Sequence, residues 1–199
     1  MSEDQPPLTR IVMGRIVPSA GVWDLDGLHT HTGFGIRHLL TLMRGRFRQQ
    51  TGTLVIAEDP TKSTVQVTID AASIDTAHPK ADETVRSEML LDVENHPTIT
   101  FSSTAIHPAE NGRWTVVGDL TIKGVTAEVE LDTEFLGAVY HPFGGTPKMS
   151  FSASTSIARS TFGVGGNFEV PGADGVLVVG NTIDLQIDVE ADLAEGQNG

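Results

Sequence analysis

The residues most able to do chemistry cluster between positions 29 and 86. His29 and His31 stand two apart, a spacing that on a strand puts both imidazoles on one face and offers a metal two nitrogen ligands. No third ligand stands at a matching interval, so no metal site is assigned. Ser73, Asp75 and His78 supply a hydroxyl, a carboxylate and an imidazole in one short stretch. Nucleophilic catalysis requires such groups within hydrogen-bond reach in the fold, which nearness in sequence does not provide. Asp70-Ala71-Ala72-Ser73 reads more simply as a turn held by side-chain bonds to the backbone. Asp75 and Arg86 either pair beside a helix or hold the polar head of a ligand. His38 follows Phe34 and Ile36 in alternation and faces inward with them, either as a hydrogen-bonded buried imidazole or as a head-group contact. The chain has no cysteine, which removes thiol catalysis, disulfides and zinc–thiolate sites. No complete catalytic set results, and the chain is read as a non-enzyme without a cofactor.

The scaffold that would position these residues is written most clearly near the C-terminus. Residues 125–135 and 183–193 alternate strictly between apolar and acidic or polar side chains. In a strand this gives one apolar and one watered face, and eleven residues span roughly 36 Å, about twice the usual strand. Strands so long need a deep apolar interior, which a closed antiparallel barrel supplies. Further strands are expected over 22–26, 29–38, 47–58, 64–70, 98–105, 113–122 and 149–157, with a tight hairpin at Lys123-Gly124. Residues 39–44 read as a helical turn. Residues 79–91 read as the main helix, with Val85, Met89 and Leu90 on one face. Stretches 137–147 and 158–180 read as glycine-rich loops. The fold class is all-β: one antiparallel up-and-down barrel of about eight strands with a helix near its mouth. The domain covers 21–193, preceded by an extended arm over 1–20 and followed by a disordered tail over 194–199.

Charge supports the strand order. Glu128, Glu130, Asp132 and Glu134 would repel Asp184, Asp188, Glu190 and Asp192 if their strands were neighbours. The strand between them in sequence presents Ser150, Ser152, Ser154 and Ser156 outward, so an up-and-down order separates the two acidic strips. The net charge of −13 argues against a nucleic-acid backbone or an anionic membrane as partner. The first ten residues lack the basic start and apolar run of a secretory leader, and no run reaches the length of a membrane span. A cytoplasmic protein without membrane insertion is expected. Alternation turns Val125, Ala127, Val129, Leu131 and Phe135 inward, with no charge among the inward residues of the clear strands. Pattern alone does not separate a ligand-lined cavity from a packed core.

Five motifs in order resemble the YceI family of polyisoprenoid-binding proteins. They are Trp23-Asp24-x-Asp26 leading to His29-Thr30-His31-Thr32-Gly33-Phe34-Gly35-Ile36-Arg37-His38-Leu39; Asp70-Ala71-Ala72-Ser73-Ile74-Asp75-Thr76; Arg86-Ser87 followed by Leu91-Asp92-Val93 and His96-Pro97-Thr98; Gly118-Asp119-Leu120-Thr121-Ile122-Lys123-Gly124; and Phe151-x-Ala153 running to Arg159-x-x-Phe162-Gly163. The resemblance spans 22 to about 192. It implies a lipocalin-like barrel that sequesters or transports a long isoprenoid or quinone-like lipid, and a homodimer. On that basis Phe34, Ile36, His38, Phe47, Ile69, Ile74, Met89, Leu90, Phe101, Leu120, Val129, Leu131, Phe135, Phe151, Phe162 and Ile187 line the interior and mouth. Asp75, Arg86 and Arg159 are the implied head-group contacts. Burial gains about 0.8 kcal/mol per methylene, so each isoprene unit contributes roughly 3–4 kcal/mol before ordering costs. The chain departs from the family pattern at Thr84 (histidine), Leu90 and Leu91 (phenylalanines), Ala158 (asparagine) and Gly166 (tryptophan). A packed structural or stress-response barrel is the alternative, and an enzyme of isoprenoid diphosphates a more distant one.

Overall fold

The computed structural model describes residues 5–165 and 177–194. Residues 195–199 of the expected tail and residues 166–176 of the second glycine-rich stretch, Gly166 included, lie outside them. The strands are β1 (Thr9–Val12), β2 (Arg15–Pro18), β3 (Gly21–Leu25), β4 (His31–His38), β5 (Thr41–Phe47), β6 (Gln50–Ile56), β7 (Thr64–Asp70) and β8 (Ile74–Asp75). Helix α1 (Pro79–Arg86) follows, then β9 (Thr98–Pro108), β10 (Trp114–Ile122), β11 (Val125–Tyr140), β12 (Pro147–Ala158) and β13 (Val179–Leu193). No helix among the described residues is long and apolar enough to cross a membrane.

Three pairs of short strands each act as one long strand with a break. β3 runs on into β4 across residues 26–30, β5 into β6 across 48–49, and β7 into β8 across the turn Ala71–Ser73. The registers continue across the breaks: Trp23 opposes Leu54 and Thr32 opposes Phe47, while Gln50 opposes Ile69 and Phe47 opposes Ile74. With these joined, eight antiparallel strands follow one another in chain order, and β13 closes the ring by pairing with β12 on one edge and with β4 and β3 on the other. The barrel expected from the sequence is the one observed, and helix α1 sits at one end.

Several local expectations are corrected. The arm folds back as the β1–β2 hairpin, with Met13 and Gly14 at φ +55° and +71° supplying the left-handed tip that matches strand twist. Residues 41–47 are strand, because Met43, Gly45 and Phe47 alternate with Leu42, Arg44 and Arg46 against β4. The strand expected over 47–58 breaks at 48–49 and ends at Ile56. Helix α1 stops at Arg86: Ser87 turns to extended backbone, its hydroxyl donates to the Thr84 carbonyl, and the Leu90 and Leu91 amides donate back to Ser87 and Val85. The first glycine-rich loop shrinks to 141–146, since β11 absorbs Gly137 in a bulge after Phe135 and runs on to Tyr140.

The charge argument holds in the register. Ser154 lies opposite Asp132, Ser152 stands between Glu134 and Asp188, and the Ser156 hydroxyl donates to Asp184 at 2.6 Å. Where β13 meets the end of β3, one cation gathers the carboxylates. The Lys148 ammonium, on a side chain 14% exposed, lies 2.9 Å from Asp26 and 2.8 Å from both Glu190 and Asp192. Burial draws the Lys148 pKa down, but bonds to Asp192, Glu190 and Asp26 outweigh it and hold the group above the ordinary lysine range. Burial likewise pushes the Asp26 carboxyl up, yet bonds from His29, Lys148 and two backbone amides hold it well below the carboxylate range. The bond to Asp26 raises the exposed His29 imidazole.

A carboxyl depressed by folding contributes stability above its unfolded pKa and loses it as pH falls through the folded value. A raised imidazole contributes below its unfolded pKa and loses it as pH rises through the folded value. This cluster therefore favours folding most between roughly pH 4 and 6.5. Replacing Lys148→Met leaves three carboxylates facing one another; it is expected to cost about 3 kcal/mol near neutrality and to move the acid-unfolding midpoint to higher pH. Urea titrations across pH measure both, and an unmoved midpoint would show that the ammonium does not hold this seam.

Candidate functional site

Alternation along eight strands turns a continuous apolar surface inward, and the strands enclose a cavity of about 530 Å³. That lies within the roughly 300–1,000 Å³ typical of small-molecule sites. Along β13 the lining runs from Val179 to Val189, about 33 Å of strand and, at the usual barrel tilt, about 25 Å along the axis. The lumen is therefore long and narrow, a shape suited to a chain more than to a compact molecule.

Each end is built differently. The β1–β2 hairpin stoppers one: Val17 is buried against Ile106, Trp114 and Val116, and Val17 and Pro18 both face the cavity. The hairpin is held by Arg10, which donates to the Ala57 and Glu58 carbonyls, and by Arg15, whose guanidinium lies 5.6 Å from the Trp114 ring centre. At the other end the wall is α1, the turn Arg159–Phe162 and the β4–β5 hairpin, and the polar groups His38, Thr76, Thr84 and Arg159 join the lining. This end is the mouth.

Of the expected lining residues, Phe34, Ile36, His38, Phe47, Ile69, Ile74, Leu90, Phe101, Leu120, Val129, Leu131, Phe151, Phe162 and Ile187 all face the cavity. Met89 does not: the early end of α1 leaves it 48% exposed. Phe135 packs beneath the lumen with Trp23, Leu54 and Met149, its ring centre 5.2 Å from that of Phe151. Val125, expected inward, is exposed at the rim beside the Lys123-Gly124 turn. Thr30, Thr32 and Thr133, passed over as polar, also line the cavity, as does Met43, hidden in the expected helical turn. Val17 and Pro18 were missed with the hairpin; the Met13-Gly14 dipeptide is the signal that would have found it.

Arg159 is the one arginine of the lining among the described residues. It is 3% exposed and donates to the carbonyls of Val164, Val179 and Gly180, drawing the turn after β12 onto the start of β13. Asp75 and Arg86 do not pair and neither reaches the cavity. Asp75 lies 2.6 Å from Arg48 and 3.6 Å from Arg46, and the Ala77 amide together with these arginines holds its carboxyl below the usual range despite some burial. Arg86 instead donates to the Ala72 and Ile74 carbonyls, fixing α1 to the break between β7 and β8.

The remaining candidates are structural as well. The Ser73 hydroxyl donates to the Asp70 carbonyl and accepts from the Arg48 and Gln49 amides, while His78 precedes α1, so these residues form the predicted turn and no catalytic set. His29 sits in the loop before β4, not on a strand face with His31. Asp26, His29 and Glu190 bring possible ligand atoms within 4.8 Å of one another, but the Lys148 ammonium already bonds both carboxylates.

The YceI-like domain model matches residues 23–191, which leaves the stoppering hairpin outside it. A UPF0312 protein of Vibrio cholerae is 32% identical over 173 residues, 85% of each chain. One of Serratia proteamaculans is 37% identical over 143 residues, 71% of this chain and 73% of that one. Among solved structures, the Campylobacter jejuni YCEI protein is 25% identical with a TM-score of 0.67, covering 80% of this chain and 90% of that one. Burkholderia cenocepacia BcnA (21% identity, TM-score 0.71, 83% of this chain and 98% of that one) shares the fold. So does a polyisoprenoid binding domain from Saccharophagus degradans (14% identity, TM-score 0.63, 88% of this chain and the whole of that one).

Arg159→Met strands buried carbonyls at the mouth and is expected to cost about 3 kcal/mol or more. Arg159→Lys is expected to recover only part of this, because one ammonium does not reproduce the planar fork. Thermal melts of the two variants check the ordering.

Proposed function

The chain belongs to the YceI-like domain family, and on that premise we propose that its barrel binds and sequesters a long apolar lipid of isoprenoid type. The observation that carries this reading is the lumen itself: about 530 Å³ of connected space, lined mostly by aliphatic and aromatic side chains and, among the described residues, by no carboxylate. A void of that size in an apolar core forfeits contacts that protein interiors normally make, and filling it with a ligand restores them. The name of the Saccharophagus degradans neighbour points to the same ligand class.

Affinity in such a site grows with chain length. Each isoprene unit contributes roughly 3–4 kcal/mol before the cost of ordering it. No directional contact is needed along most of the lumen, so discrimination among chains of similar bulk is weak. The hydroxyls of Thr32 and Thr133 and the polar rim at His38 and Arg159 are the places where a head group or a kink would be read. Seating the head at the rim leaves the tail pointing toward Val17 and Trp114. The reading assigns the protein no chemistry, and His38 at the rim serves recognition.

Solvent extraction of the purified protein followed by lipid mass analysis is expected to release an apolar chain. Ala153 faces the lumen from β12. An Ala153→Phe variant fills part of the space and is expected to cut the recovered lipid several-fold while leaving the melting temperature within a few degrees. Wild-type protein that gives a clean ligand-free mass, with added isoprenoid leaving its melting temperature unchanged, overturns the reading.

A further inference from the structure

The charges of this chain are unevenly spread around the barrel. Acidic strips occupy the outer faces of β11 and β13, while the outer face of β5 carries Arg44 and Arg46, with Arg48 just past its end and Arg37 on neighbouring β4. All four guanidiniums belong to exposed residues. Asp75 offsets one of them through its contacts with Arg48 and Arg46, leaving a positive patch on a chain of net charge −13. β11 lies diametrically across the ring from β5. β13 is two strand spacings away, about 10 Å, which exceeds the screening length of about 8 Å at physiological salt. Its Asp184 is turned to the Ser156 hydroxyl on the side away from β5.

The tip of the same hairpin is apolar where turn chemistry asks for the opposite. His38 pairs with Thr41, so Leu39 and Leu40 form a two-residue turn, a place normally given to asparagine and glycine. Leu39 adopts φ +53°, a conformation a bulky side chain rarely takes. Leu39, Leu40 and Leu42 are 46%, 88% and 41% exposed. Folding is not served by these leucines, and they stand directly beside His38 at the mouth.

We propose that the β4–β5 hairpin docks the protein on an anionic lipid bilayer, its leucine tip entering the interface and its arginines meeting the head groups, so that the mouth faces the membrane. The combination of apolar tip and flanking cations is the chemistry of interfacial binding, and neither part suffices alone. The net charge that argues against such a partner over the whole molecule is outweighed locally by the patch. The docking gives the carrier reading a source for its cargo and rests on it for purpose, but not for detection.

Sedimentation with vesicles tests it directly. Wild-type protein is expected to pellet with vesicles of equal phosphatidylglycerol and phosphatidylcholine, to stay in solution with phosphatidylcholine alone, and to be released at about 1 M salt, where screening shortens to about 3 Å. Each arginine at an anionic surface is worth about fivefold in affinity. Arg37→Glu combined with Arg44→Glu, and separately Leu40→Asp, are expected to weaken binding at least about tenfold while the melting temperature stays unchanged. Phe143→Asp, at the exposed loop on the opposite end, is expected to leave binding intact. Absence of wild-type pelleting, equal pelleting with phosphatidylcholine, indifference to the hairpin variants, or loss through Phe143→Asp overturns the docking. Lipid-laden protein that never pellets sinks the docking and spares the carrier; lipid-free protein that pellets does the reverse.

Discussion

The structure depends on β13 being hydrogen-bonded along both edges. One edge takes β12 in unbroken register from Lys148 to Ala158, and the other takes β4 and then β3. Remove either pairing and the sheet gains two open edges, the lumen admits water, and the apolar lining loses its reason to face inward. The weak point is the interruption at residues 26–30, where β13 has no strand on that second edge. There the Glu190 carbonyl accepts from the Asp26 amide and the Thr30 hydroxyl, the Glu190 amide donates to that same hydroxyl, and the buried Gln50 side chain donates to the Gly27 and Thr30 carbonyls. Lys148 binds the carboxylates just outside. The break thus leaves these backbone groups satisfied, as burial requires.

The same closure orders the outer surface. In an up-and-down ring, alternation assigns every second residue to water, so the charges a strand carries become a longitudinal stripe. Serines on β12 separate the acidic stripes of β11 and β13, and glycines on β4 separate β13 from the arginines of β5. Neutral stripes act as spacers between charged ones, and like charges stand opposite each other at Asp119–Glu128 and at Asp24–Asp192, the second pair beside the Lys148 ammonium.

Legibility followed periodicity. The long strands β11, β12 and β13 alternate cleanly, and their order, facing and most of their lining residues could be read directly. Breaks defeat the same logic: β5 reads as a helical turn because Leu39-Leu40 ahead of it and Gly45 within it blur the period, and the bulge at Gly137 disguises five more residues of β11. The site was legible where it is wall and illegible where it is fitting. Asp75 and Arg86 have the right charges for a mutual pair, yet each finds nearer partners, arginine side chains in one case and backbone carbonyls in the other, and sequence does not rank such choices. Thr133 sits in phase with Leu131 and escapes notice for being polar, although a threonine lining an apolar lumen is the more informative residue.

The β1–β2 hairpin closes the barrel floor but belongs to no wall strand. Val17 and Pro18 enter the lumen from below, anchored by Arg10 and Arg15 from a segment outside the family-matched region. Depth and girth are thereby uncoupled. Girth is fixed by strand count, which cannot change without rebuilding the sheet, whereas depth follows how far a separate cork is pushed in. A bulkier or shorter side chain at position 17 would reset the depth of the lumen, leaving every rung of the ladder in place.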